Sequence, residues 1–117
     1  ATAAPVFIEV TFVVSVPDNT TGTVFVAGSF PSPLPFWDPA GIDLSPTANP
    51  NEWSVTLSLL EGTQVDYKYA RGDWDRVEKG TECEEIANRS MRATDEGGRA
   101  MTIYDTVAKW RDLDFCP

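Results

Sequence analysis

Residues 6–16 carry an apolar side chain at every even position. These are Val6, Ile8, Val10, Phe12, Val14 and Val16, with Glu9, Thr11 and Ser15 among the odd ones. A period of two is the spacing of a strand with one face buried and does not fit a helix. The run stops at the turn cluster Pro17-Asp-Asn-Thr-Thr-Gly22,. A second run, Thr23 to Ala27, follows and ends at Gly28. The spacing predicts a hairpin of these two strands.

The same alternation returns twice more. Trp53, Val55, Leu57 and Leu59 alternate with Ser54, Thr56 and Ser58, and Val65, Tyr67 and Tyr69 alternate with Asp66 and Lys68. Glu61-Gly62-Thr63 turns the chain between them,. Lys68 is therefore expected on the sheet face opposite Tyr67 and Tyr69. Residues 29–50 hold six prolines, which rules out a helix or a regular central strand there,. That segment reads as a loop carrying Phe36 and Trp37, with short extended pieces such as Ile42 to Leu44. Weaker strands are expected at Trp74–Glu78, Ile86–Ala93 and Met101–Val107; Lys109-Trp110-Arg111-Asp112 is ambiguous. Seven to eight short strands divided by turns predict an all-β, immunoglobulin-like antiparallel β-sandwich. Trp53 opens a clean apolar strand and reads as core; Trp110 reads as core or as a cap on the sandwich edge.

The 117 residues suit one domain, expected over 6–117, with Ala1-Thr-Ala-Ala-Pro5 as a linker or N-terminal remnant,. Eighteen acidic and nine basic residues give a net charge of −9. That excess argues against nucleic acid and against anionic membranes as partners, whereas a neutral polysaccharide carries no charge to repel. No apolar run reaches the roughly 20 residues a membrane span needs. The chain is expected to be monomeric. Two cysteines, Cys83 and Cys116, suggest one disulfide in an extracellular setting, with two free thiols as the alternative,.

Catalytic chemistry finds little support. The chain has no histidine, which excludes Ser–His and Cys–His nucleophilic triads and most zinc sites,. A glycosidase needs only two carboxylates, but no pair stands out and a small sandwich offers no evident deep cleft to raise one carboxyl pKa. The acidic runs Asp73/Asp75/Glu78 and Glu82/Glu84/Glu85 lack the spacing of a calcium loop and read as solvated surface,. No catalytic residue, metal or cofactor is expected.

Several pieces stand in a telling order: Val24-Phe-Val-Ala-Gly-Ser29, Leu34-Pro-Phe-Trp-Asp-Pro39, Ile42-Asp-Leu44, Trp53-Ser-Val-Thr-Leu-Ser-Leu59 with Glu61-Gly62, Asp66-Tyr-Lys-Tyr69, Gly72-Asp-Trp74 and Asn88-Arg89. This order, over residues 6 to 107, resembles the starch-binding family 20 carbohydrate-binding modules, with features of the related family 48 glycogen-binding modules. The resemblance implies an α-glucan site made of two tryptophans, a lysine and an asparagine, here Trp37, Trp74, Lys68 and Asn88. It also implies a secreted, non-catalytic module that targets an attached amylolytic glycoside hydrolase to starch or glycogen. The chain departs from the family pattern in two places. Pro35 stands where glycine is usual, and Asn88 comes fourteen positions after Trp74, with Cys83 between them. Many members carry a second, tyrosine-based site, but Asn19-Thr-Thr-Gly22 has no aromatic.

The chemistry of these four residues suits the implied ligand. The C–H faces of glucose rings pack on indole, lysine donates to hydroxyls, and asparagine both donates and accepts. A few aromatic anchors with sparse polar groups are the usual composition of such sites. The alternative is a sandwich spacer without sugar binding, in which Trp37 plugs the proline-rich loop and Lys68 is an ordinary solvated lysine.

Overall fold

The computed structural model describes residues 5–114 and 116. The expected linker, residues 1–5, lies outside the described residues apart from Pro5. Six strands have four residues or more: β1 (Phe7–Ser15), β2 (Phe25–Gly28), β5 (Glu52–Leu60), β6 (Gln64–Ala70), β8 (Arg89–Arg92) and β9 (Ala100–Thr106). Four have two residues each: β3 (Ile42–Asp43), β4 (Ser45–Pro46), β7 (Glu78–Lys79) and β10 (Lys109–Trp110). They form two four-stranded sheets, ordered β4-β5-β1-β9 and β3-β2-β6-β8, with β10-β7 as a small third sheet. This is the expected all-β sandwich, antiparallel except for β1 beside β9.

The alternation in β1 does what its spacing dictates. Ile8, Val10, Phe12 and Val14 are all fully buried. They meet Val26, Val65, Tyr67 and Tyr69 from the other sheet, and Val24 just ahead of β2, in a single core. Phe12 sits edge-on to Tyr67, ring centroids 5.2 Å apart, a favoured aromatic geometry. The hydroxyls of Tyr67 and Tyr69 both donate to Asp105 Oδ2 on β9, at 2.7 and 2.8 Å. Burial holds both phenols protonated, their pKa values raised well above the usual tyrosine range. Trp110 is fully buried, its indole N–H donating to Thr20 Oγ1 at 2.8 Å. Trp53 packs against the core but stays partly exposed.

Two expectations about the strands fail. The first two runs do not form a hairpin. β1 pairs with β5 and β9, while β2 pairs with β3 and β6 in the opposite sheet. Residues 16–24 cross between the layers, so each strand's apolar face meets the other's across the core instead of lying beside it. Trp74–Glu78 is not a strand either. Trp74–Arg76 is a 3-10 turn, and pairing starts only at Glu78. The proline-rich stretch contributes β3 and β4, and Pro46 is tolerated because β4 lies at a sheet edge,.

Candidate glycan-binding site

Trp37 is placed by β2. Its backbone N–H donates to the Gly28 carbonyl at 2.7 Å, and its φ of 49° lies in the left-handed region. Non-glycine residues rarely adopt that conformation, and it turns the indole out of the loop. The loop then folds on itself: the Ala40 N–H donates to Asp38 Oδ1 at 2.9 Å. A Cβ at Gly41 would lie 2.6 Å from the Pro35 Cβ, so the two segments meet closely. Pro35, the departure from the family pattern, thus serves as the packing partner of Gly41.

Trp74 comes from the next turn. The Gly72 N–H donates to the Pro39 carbonyl at 3.2 Å, tying this turn to the Trp37 loop. The Arg76 N–H donates to the Asp73 carbonyl and closes the 3-10 turn. The ring centroids of Trp37 and Trp74 stand 6.4 Å apart with their planes at 47°. Trp74 is exposed and Trp37 is half-buried.

The two indoles border a concavity of about 460 Å³ that Lys68 and Asn88 also line. Lys68 projects from β6 opposite Tyr67 and Tyr69, as the alternation requires. Asn88 is exposed just ahead of β8. All four residues singled out in the sequence therefore come together on one surface. Four more residues complete the lining: Val77, Lys79, Glu85 and Arg111.

Glu85 organises the polar wall. Its Oε1 accepts from Lys68 Nζ at 3.3 Å and its Oε2 from Lys79 Nζ at 2.8 Å. These bonds, to Lys79 first and then Lys68, hold the Glu85 carboxyl below the usual carboxylate range. The neighbouring Glu78 is fully buried, not solvated as its acidic surroundings suggest. It accepts from the Tyr69 backbone N–H and from Arg89, which anchors the start of β8 next to Asn88. The disulfide Cys83–Cys116 joins the loop that carries Glu85 to the tail that carries Arg111. Sequence reasoning missed Lys79, Glu85 and Arg111. The signal that could have found them is that cysteine pair, which brings the charged residues on either side of the bridge into one neighbourhood.

The sandwich presents two tilted indoles beside hydrogen-bonding groups in one open trough, a composition that suits flat, hydroxylated rings,. The comparisons name the kind. The model of the starch binding domain family matches residues 7–103, and the chain belongs to that family of carbohydrate-binding modules. It is 47% identical over 107 residues to an amylopullulanase of Thermoanaerobacter thermohydrosulfuricus, a match covering 91% of this chain and 7% of that protein. It is 48% identical over 107 residues to an amylopullulanase of Thermoanaerobacterium thermosulfurigenes, covering 91% of this chain and 6% of that protein. The chain thus spans only a small part of these relatives. The solved family 20 module of a maltotetraose-forming amylase from Pseudomonas saccharophila STB07 shares its fold, with a TM-score of 0.61 at 20% identity, covering 85% of this chain and 99% of that one.

Proposed function

We propose that this module holds α-glucan chains without cleaving them, through Trp37, Trp74, Lys68 and Asn88. The observation that carries the reading is the Trp37–Trp74 pair, tilted by 47° with centroids 6.4 Å apart. Two flat apolar faces set at an angle suit the curved face of an α-1,4-linked chain better than a flat, ribbon-like polysaccharide. Lys68 and Asn88 lie where they can reach ring hydroxyls. The module tethers an amylolytic domain to insoluble substrate, and the gain comes from raised local concentration rather than from one tight site. Similarity to segments of amylopullulanases supports that attachment, and the Cys83–Cys116 disulfide suits an oxidising, extracellular setting,.

The test is retention of the domain on insoluble starch, with cellulose as control and Trp37→Ala beside the wild type. Retention on starch alone, lost in the variant, is expected. Passage of the wild type through both polysaccharides would overturn the reading.

A further inference from the structure

The polar wall of the trough carries more positive charge than a neutral sugar calls for. The chain has nine lysines and arginines and a net charge of −9. Three of those nine, Lys68, Lys79 and Arg111, line this one concavity, and among the described residues Glu85 is the only carboxylate lining it. The site is locally cationic on a strongly anionic protein.

Two of these cations are nearly sealed from water. The side chains of Lys68 and Lys79 keep only 11% and 8% of their exposure. Burying two ammonium groups side by side is costly unless an anion stands between them. That anion is Glu85, which spans the two with its two oxygens. Glu85 itself is 73% exposed and sits in a stretch without regular secondary structure. A carboxylate so placed leaves for water at little cost. Arg111 is held no more firmly, with Asp75 at 3.5 Å and 89% exposed. Neutral hydroxyls could be read by uncharged donors, with no ammonium groups to desolvate.

We propose that the trough accepts an α-glucan bearing a phosphate monoester, whose oxygens replace the Glu85 carboxylate between Lys68 and Lys79 while a sugar ring stacks on the indoles. Arg111 flanks the same position. The proposal rests on the α-glucan reading above and specifies which glucan the site prefers. A phosphate monoester carries about −1.5 to −2 charges near neutral pH, against the single charge of Glu85. Its three strong acceptor oxygens match three cations better than a carboxylate does.

The experiment is calorimetric titration of this domain with maltoheptaose, with maltoheptaose carrying one 6-phosphate, and with inorganic phosphate alone. The phosphorylated chain is expected to bind about three- to tenfold more tightly at low salt, the gain of charge-assisted hydrogen bonds less the loss of the Glu85 contacts. That preference should shrink but not vanish near about 1 M salt, which screens the exposed Arg111 more than the nearly buried Lys68 and Lys79. Lys79→Gln should bring the ratio of the two affinities close to one, while Lys79→Arg keeps it above one and controls for misfolding. Glu85→Gln, which removes the competing carboxylate, should raise the ratio. Inorganic phosphate should compete with the phosphorylated chain more than with the neutral one. Equal affinity of the wild type for both oligosaccharides would overturn this inference and leave the α-glucan reading standing. So would a preference that Lys79→Gln does not change. Failure to bind either oligosaccharide would remove both readings.

Discussion

Trp37 and Trp74 meet at 47° although they belong to different loops, and one backbone bond, from the Gly72 N–H to the Pro39 carbonyl, fixes the distance between those loops. The main chain thus brings the two loops that carry the indoles together. Loops tied together in this way have less backbone freedom to lose when a ligand binds.

Replacing either indole should weaken α-glucan binding without unfolding the domain, because neither ring belongs to the core. Trp37→Ala and Trp74→Ala should each cost about tenfold or more in affinity, in the range of aromatic anchors at binding surfaces. Titration with β-cyclodextrin measures the loss, and far-ultraviolet circular dichroism should be unchanged. Near-wild-type affinity in both variants would remove the indole pair from the site.

Gly28→Ala tests how the site hangs on the sheet. An added Cβ would lie 2.5 Å from the Asp66 carbonyl oxygen and 2.8 Å from the Tyr67 Cβ, so β2 must move away from β6. The expected cost is about 1–3 kcal/mol, typical of overpacking. Gly28 also accepts the Trp37 N–H, so glucan affinity should fall with stability. Urea unfolding and ligand titration on the same variant check both effects.

Much of this was legible in the sequence, and the misses share a cause. The even positions of β1 announced a buried face, and four of them are fully buried. Alternation reports which face is buried but not which strand lies alongside, so the β1–β2 hairpin was a wrong expectation. Trp37, Lys68, Trp74 and Asn88 were singled out through their order along the chain, and the fold brings them to one concavity. Lys79, Glu85 and Arg111 escaped because charged residues read by default as solvated. The contacts that bury Lys79 arise only once the 80–88 loop and the tail are brought together. Glu78 was misread for the same reason, since its partner Arg89 lies beyond that loop.

The Cys83–Cys116 bridge closes a loop with a sequence separation of 33. The double variant Cys83→Ser/Cys116→Ser should lose about 3–4 kcal/mol of stability by the loop-entropy relation. Amide hydrogen exchange should quicken in residues 80–88 and hardly change in β1. A loss below about 1 kcal/mol would show that packing, and not the bridge, orders this part of the chain.

Acid should weaken the attachment of the tail. Asp112 receives two hydrogen bonds from Arg71 Nη2. Burial alone would raise its carboxyl pKa, but the Arg71 bond and charge outweigh burial and hold it below the usual range. A pKa lowered by folding contributes stability above the unfolded value, lost as pH falls through the folded one, here below about pH 4. Asp112→Asn leaves Arg71, with a side chain only 2% exposed, without its carboxylate. The cost at neutral pH should be about 3 kcal/mol, the low end for breaking a buried pair, because Asp112 remains partly exposed,. The stability gap between variant and wild type should narrow from about pH 7 to about pH 3. A gap equally wide at both would acquit the pair.

The parallel pairing of β1 with β9 has a consequence for how the domain is made. Val10 pairs with Met101, a partner about ninety positions further along, and such distant pairing is slow to form. During synthesis β1, one of the most apolar strands of the module, leaves the ribosome well before its second neighbour β9. Until residue 106 is free, β1 has one open edge on which a stray strand could add. The module therefore gains its final shape late in its own synthesis, as one cooperative event.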